Sequence, residues 1–109
     1  MLTVTVSDSN FGSNFSLNLA TLRRWGVMGD APNVSGIDDV VVQMATKAAQ
    51  KRWGRSVSFT RTFHADSEDR YLYGQIIWPS GEFRRVSLEF SRDPAAEIAG
   101  MARQLNFWK

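Results

Sequence analysis

The side chains that could support catalysis or metal binding are few, and they cluster near the middle of the chain. His64 is the single histidine among 109 residues, and imidazole is the side chain best suited to proton transfer near neutral pH. Asp66, Glu68 and Asp69 follow it and offer oxygen ligands for a hard cation. They lack the ligand order of a calcium-binding loop, and no nucleophile stands at a recognisable spacing from His64. The pattern predicts a solvated acidic turn, with no catalytic residue and no metal site.

Other patterns also point away from an enzyme. Asp38 and Asp39 are adjacent, and adjacent residues of a helix point in different directions, so they do not form paired carboxylates. Gly26, Gly29 and Gly36 are spaced too widely for a phosphate-binding loop. The chain has no cysteine, which removes disulfides and thiol chemistry. We therefore expect a protein that is not an enzyme and that uses no cofactor.

Aromatic and arginine side chains after the acidic turn suit binding better than catalysis. Tyr71 and Tyr73 share one parity of a predicted strand, and Arg85 has the outward parity of the next. Such side chains anchor protein interfaces, and tyrosines on a sheet can also stack on nucleic-acid bases. The alternative is packing against the rest of the protein, because Ile77 shares the parity of the tyrosines. Tyr71, Tyr73, Arg85 and Trp108 are the predicted partner-binding residues.

A second candidate surface is basic. Four cations lie at or just after the end of a predicted helix: Lys47, Lys51, Arg52 and Arg55. They can bind phosphate groups, or they can simply complement the negative end of the helix dipole. The formal net charge is only +2, which is too near balance to imply a polyanionic partner by itself.

Two amphipathic helices are expected to position these residues. The first is predicted to begin at the capping box Ser35-Gly36-Ile37-Asp38 and to stop at Gly54. The second is predicted to begin with Asp93 as N-cap and Pro94 in its first turn, and to end near Asn106. Apolar residues at helical spacing define the predicted buried stripes: Ile37, Val40, Val41, Met44, Ala48, Ile98, Met101, Ala102 and Leu105.

Between these helices the sequence predicts a three-stranded antiparallel meander. Period-two alternation covers Val57–His64, Arg70–Trp78 and Arg84–Phe90. A hairpin turn over Pro79-Ser80-Gly81-Glu82 connects the last two strands, with Pro79 fixing one backbone angle and Gly81 available for a positive φ.

The N-terminal segment, residues 1–35, is less regular. It predicts a strand from Leu2 to Val6, a turn over Ser9–Asn14, and either a second strand or a short helix over Leu19–Val27. We expect an α+β fold in one domain, residues 1–109, in which the three-stranded antiparallel meander packs against two helices. An N-terminal strand or hairpin can extend the meander. The core of the domain is the α-β-β-β-α unit of residues 36–106.

Composition limits the class of protein. Hydrophobic residues make up 43% and charged residues 22% of the chain, as in ordinary globular domains. The first residues have no basic region followed by an apolar run, and no later run approaches the length of a membrane span. We expect no membrane partner and a cytoplasmic location.

The helix, three-strand, helix order over residues 36–106 resembles the topology of double-stranded RNA-binding domains. In that family the final helix opens with a lysine-rich motif that grips phosphates. The corresponding stretch here is Ser91-Arg92-Asp93-Pro94-Ala95-Ala96-Glu97, which is acidic where lysines belong. The resemblance is therefore one of topology, and it implies no phosphate grip at this position.

Two functions remain from the sequence. The first is a small non-catalytic binding protein that modulates or inhibits a protein partner by steric occlusion. In size and lack of site chemistry it resembles the inhibitors carried by phages and mobile elements, such as anti-CRISPR proteins. The second is a nucleic-acid-binding domain that uses the basic helix end and the aromatic sheet face. Steep weakening of binding with added salt would indicate the second.

Overall fold

A computed structural model describes residues 2–8, 12–25, 34–62 and 70–107, with the backbone alone for 34–38 and 105–107. Within these ranges the chain forms an α+β fold with a five-stranded antiparallel sheet and three helices. The strands are β1 (Leu2–Ser7), β2 (Gly12–Leu17), β3 (Ser58–Thr62), β4 (Tyr71–Ile77) and β5 (Phe83–Phe90). The helices are α1 (Leu19–Arg24), α2 (Val34–Trp53) and α3 (Pro94–Phe107).

The sheet has the strand order β2-β1-β5-β4-β3. The meander β3-β4-β5 matches the prediction, and the N-terminal hairpin β1-β2 extends it by pairing β1 with β5. The N-terminal segment therefore lies beside the meander as additional strands. Among the described residues, none of its elements covers the face that carries the tyrosines, because residues of that face stay partly or fully exposed.

The N-terminal predictions were confirmed in part. The predicted turn over Ser9–Asn14 was too long, because β2 already begins at Gly12. Of the two alternatives predicted over Leu19–Val27, the short helix is confirmed as α1, and the second strand lies before it as β2, so the fold has three helices where two were expected. Asn18 lies between β2 and α1. Its Oδ1 accepts a hydrogen bond from the backbone N–H of Thr21 at 2.8 Å, which makes it the N-cap of α1.

Helix α2 begins one residue earlier than its predicted capping box. Its first residue is Val34, so Ser35 lies inside the helix. The predicted stop is confirmed: Gly54 has φ +99°, and its N–H donates to the carbonyl of Gln50 at 3.1 Å. Helix α3 begins at Pro94 as predicted, and Oδ1 of Asp93 accepts from the N–H of Ala95 at 3.1 Å.

The core lies on one side of the sheet, which we call the inner face, between the strands and the helices. It is built from inward-facing residues of all five strands: Leu2, Val4, Val6, Leu17, Phe59, Leu72, Ile76, Val86, Leu88 and Phe90. Helices α2 and α3 cover it with Val40, Val41, Met44, Ala45, Ala48, Ala49, Ile98, Met101 and Ala102. Burying all helices against one face leaves the opposite side of the sheet, the outer face, without a helix among the described elements.

Gly74 lets the sheet pack closely on the inner face. It is paired with Val86 on one side and Arg61 on the other. The ring of Phe59 lies directly over it, and a Cβ at this position would collide with that ring and approach the carbonyl oxygen of Thr60 to 2.7 Å. The absence of a side chain at Gly74 therefore creates the space that the Phe59 ring fills.

The turn between β4 and β5 follows its predicted chemistry. The N–H of Gly81 donates to the carbonyl of Trp78 at 2.9 Å, and the N–H of Trp78 donates to the carbonyl of Glu82 at 2.9 Å. Gly81 has φ +91°, which a residue with a Cβ rarely adopts. A proline-led turn followed by a glycine with positive φ fixes the register of the hairpin, and with it the outward direction of Phe83 and Arg85.

Candidate binding surface on the outer face of the sheet

On the outer face of the meander the strand register places three full rows of side chains side by side, next to a shorter row of Tyr71 and Glu89. The full rows are Ser58, Ile77 and Phe83; Thr60, Gln75 and Arg85; and Thr62, Tyr73 and Ser87. Each full row crosses all three strands, because directly opposed residues of antiparallel strands point to the same side. The order of the rows places apolar residues next to the hairpin turn and polar residues farther from it.

Phe83 is the most prominent feature of this surface. It is 59% exposed, and it and Tyr73, 38% exposed, are the exposed large hydrophobic residues of the described part of the chain. Phe83 is paired across the strands with Ile77, which is half-buried. Phe83 and Ile77 together form the apolar area at the hairpin end of the outer face.

Arg85 lies two residues beyond Phe83 on the same side of β5. It is exposed and is paired with Gln75 in the register. Within the described residues its guanidinium has no hydrogen-bond or ion-pair partner, unlike Arg61, Arg70 and Arg84. Its donors are therefore available to an incoming group.

The two predicted tyrosines differ in their surroundings. Tyr71 is held inside the protein's own polar network: its hydroxyl accepts from Nη2 of Arg70 at 2.9 Å and donates to Oε1 of Glu89 at 3.4 Å. The guanidinium carbon of Arg70 also lies 5.1 Å from the centre of the Tyr71 ring. Tyr73 lies nearer to the apolar row and is diagonal to Arg85 in the register. Tyr73 and Arg85 therefore belong to one surface with Phe83, and Tyr71 lies at its border.

Sequence reasoning missed Phe83 because it counted the last strand from Arg84. The alternation Phe83, Arg85, Ser87 and Glu89 includes it on the outward side once the strand begins at the first residue after the turn. Counting back from the outward Arg85 by two residues would have identified it. Ile77, in contrast, was recognised from its parity, and its half-buried position on the outer face agrees with that.

The predicted basic residues lie in the other layer of the molecule. Lys47 and Lys51 are exposed residues of α2, the helix that packs on the inner face. Nζ of Lys51 lies 5.8 Å from the centre of the Phe15 ring, which stacks on Trp25 with a centroid distance of 5.7 Å. Arg52, near the end of α2, and Arg55, just after it, are exposed as well. The sheet and its core separate these cations from the outer face, so the two surfaces are not continuous.

The inner side of the hairpin end carries a separate charged contact. Nη1 of Arg84 lies 2.8 Å from Oδ2 of Asp8, whose side chain is only 5% exposed. The guanidinium of Arg84 also lies 5.9 Å from the Trp78 ring, which meets Trp53 edge-on. An open depression of about 570 Å³ adjoins this cluster and includes Phe83 in its lining. The Arg84–Asp8 pair ties β5 to the end of β1.

Several predicted residues lie outside the described part of the chain. These are His64, Asp66, Glu68, Asp69 and Trp108. Their predicted roles, including partner binding by Trp108, stay predictions. Within the described ranges there is no group of three or more side chains that could hold a metal ion, and none of the helices there is long and apolar enough to cross a membrane.

Comparison of the chain with known protein families, with curated proteins and with solved structures gives no match.

Proposed function

We propose that this chain is a small non-catalytic binding protein that docks on a protein partner through the outer face of its meander. The observation that carries the proposal is Phe83, 59% exposed on a central strand and paired with Ile77. Phe83 shares the outer face with Tyr73 and with Arg85, which has no partner among the described residues. Aromatic residues and arginine are the residue types that dominate binding energy in protein interfaces. We refer to Tyr73, Ile77, Phe83 and Arg85 as the docking surface.

The rigidity of this surface supports the proposal. β5 is paired with β4 at both Phe83 and Arg85, it is also paired with β1 from Ser87 to Phe90, and the Gly81 turn fixes its register. Side chains on such a strand lose little backbone freedom when a partner binds, because the backbone is already ordered. A surface of this kind can block a partner's own site without any chemistry, which is the mode of a steric inhibitor, including those carried by phages and mobile elements.

A nucleic-acid partner fits the arrangement less well. Backbone recognition requires several cations that follow the phosphates, but on the docking surface Arg85 is the single described arginine without an intramolecular partner. The cations of α2 lie across the sheet from Tyr73. A strand of nucleic acid cannot stack on the tyrosine and reach those cations as one continuous site.

The test is affinity capture from a cell lysate with the full chain, before and after nuclease treatment, followed by quantification of captured protein and nucleic acid. We expect a protein whose capture survives nuclease and changes little when salt is raised from about 50 to about 200 mM, a range in which phosphate-mediated binding falls by orders of magnitude. Phe83→Ser should remove the capture, because it deletes the apolar anchor at an exposed position.

Asn14→Ala is the matched control, because Asn14 is exposed on the same face of the sheet but on β2. It should capture as the unchanged chain does. Capture that Phe83→Ser leaves intact would remove the docking surface from the proposal. Loss of capture on nuclease treatment, together with loss in a Lys47→Ala, Lys51→Ala variant, would replace the proposal by nucleic-acid binding.

A further inference from the structure

The distribution of charge around Phe83 points to the chemistry of the partner. The arginines in or next to the strands of the meander are Arg61, Arg70, Arg84 and Arg85. Arg70 is 3.8 Å from Glu89, Arg84 is 2.8 Å from Asp8, and Arg61 also has an interaction within the chain. Arg85 is exposed, and within the described residues its guanidinium is unpaired. Within the described residues, three arginines of the meander therefore have partners, and Arg85, beside Phe83 and the half-buried Ile77, has none.

We infer that the docking surface binds a protein segment that presents an acidic side chain close to an apolar one; this inference rests on the proposed function. The acidic group would pair with the guanidinium of Arg85, and the apolar group would cover Phe83 and Ile77. Guanidinium binds a carboxylate through two parallel N–H donors. A single cation next to an apolar pair suits one carboxylate, whereas a phosphate backbone demands a row of cations.

The strand geometry sets the spacing of the two groups. Phe83 and Arg85 are two residues apart on β5, so their Cα atoms are separated by roughly 7 Å. The partner's acidic and apolar residues must therefore be separated by a similar distance. Positions i and i+2 on one side of an extended segment have this separation.

The charges along β5 also determine where on the docking surface an acidic group fits. Glu82 lies in the turn on the far side of Phe83 from Arg85, and it would repel an acidic group placed there. Glu89 lies farther along β5 and is within 3.8 Å of Arg70. The favourable place for a carboxylate is therefore beside Arg85, between the apolar row and Ser87, where Gln75 and Thr60 add an amide and a hydroxyl from the same row.

The experiment is a selection from a random peptide display library on the full chain, followed by affinity measurement with the selected peptides as probes. We expect enrichment of peptides with Asp or Glu two positions from a large apolar residue. Replacing the acidic residue by its amide, or Arg85 by Ala, should each weaken binding by at least about tenfold, and the two changes together should weaken it little further. Arg85→Lys should restore only part of the affinity, because it cannot form the two parallel bonds.

The outcomes separate this inference from the proposed function. Peptides that require Phe83 but tolerate Arg85→Ala would overturn the acidic partner and leave the docking surface standing. Peptides whose binding is unaffected by both Phe83→Ser and Arg85→Ala would overturn both. Ser16→Ala, an exposed change on the outer face of β2, is the control that should leave affinity unchanged.

Discussion

The two sides of β4 and β5 use neighbouring residues for opposite purposes. On the inner side Leu72, Ile76 and Leu88 are buried against the helices. On the outer side, one residue away along the same strands, Tyr73 and Phe83 are exposed. Both sides contain large apolar groups, although those of the outer side share it with polar residues such as Arg85 and Ser87. They differ in whether another of the described elements covers them. We therefore expect changes on the inner side to lower stability and, under the proposed function, changes on the outer side to lower binding.

The largest effect on stability should come from the inner side of β5. Leu88→Ala removes a side chain that is 1% exposed and should lower the free energy of unfolding by about 2–5 kcal/mol, because a cavity remains next to the helices. Urea denaturation followed by circular dichroism measures this free energy of unfolding. Ser87→Ala, the exposed neighbour on the same strand, should change it by less than about 0.5 kcal/mol. Equal losses in both variants would contradict the division between the two sides.

A smaller loss of stability is expected when a side chain is added to the closely packed inner side. Gly74→Ala places a Cβ against the Phe59 ring and the carbonyl oxygen of Thr60, and we expect a destabilisation of about 1–3 kcal/mol. The same denaturation measurement should show that Phe59→Leu and Gly74→Ala together cost less than the sum of the single changes, since the smaller side chain relieves the collision. Strict additivity would show that the ring is not the obstacle.

Removing the N-cap of α3, which lies outside the sheet, is expected to lower the free energy of unfolding by about 1 kcal/mol. Asp93→Ala removes the side-chain acceptor of the Ala95 N–H and should lower the midpoint of urea denaturation. Asp93→Asn keeps an acceptor oxygen and should retain most of the stability. If the asparagine and alanine variants unfold alike, the hydrogen bond is not the source of the stabilisation.

The smallest effect on stability, with the largest effect on binding, is expected on the outer side. Tyr73→Ala combined with Arg85→Ala should leave the fold intact by circular dichroism, because both side chains are exposed, and should abolish partner capture. A Tyr71→Phe change removes only a hydroxyl that Arg70 and Glu89 engage, and it should leave capture unchanged. Unchanged capture by the double variant would show that this side of the sheet has no part in binding.

Local signals in the sequence predicted several elements well. The Asp93-Pro94 pair started α3 where expected, Gly54 stopped α2, and the Pro79–Glu82 turn took the positive φ at Gly81 that its composition indicated. Each of these depends on a few neighbouring residues whose backbone preferences dominate. The start of α2 was less accurate, because its first residue, Val34, precedes the serine that the capping pattern proposed.

The candidate site was predicted only in part, because it depends on pairings between distant residues. Parity placed Tyr73 and Arg85 on the same side, but it could not show that Tyr71 is engaged by Arg70 and Glu89. It also could not show that Arg84 is paired with Asp8, which lies 76 positions away in the sequence. That Arg85 alone among the four arginines of the meander has no partner within the described residues is recognisable only once the partners of the others are known.

The sequence by itself determined the α+β class, the meander and the direction of its side chains, because alternation and turn chemistry act over a few residues. Only the tertiary structure decided where the N-terminal hairpin goes. It pairs β1 with the edge of β5 and widens the sheet instead of covering it. The physical reason is that β5 offers unpaired backbone groups at its edge, which a strand satisfies by lying alongside. The outer face, with Phe83 at its apolar end, stays uncovered by the described elements for the same reason.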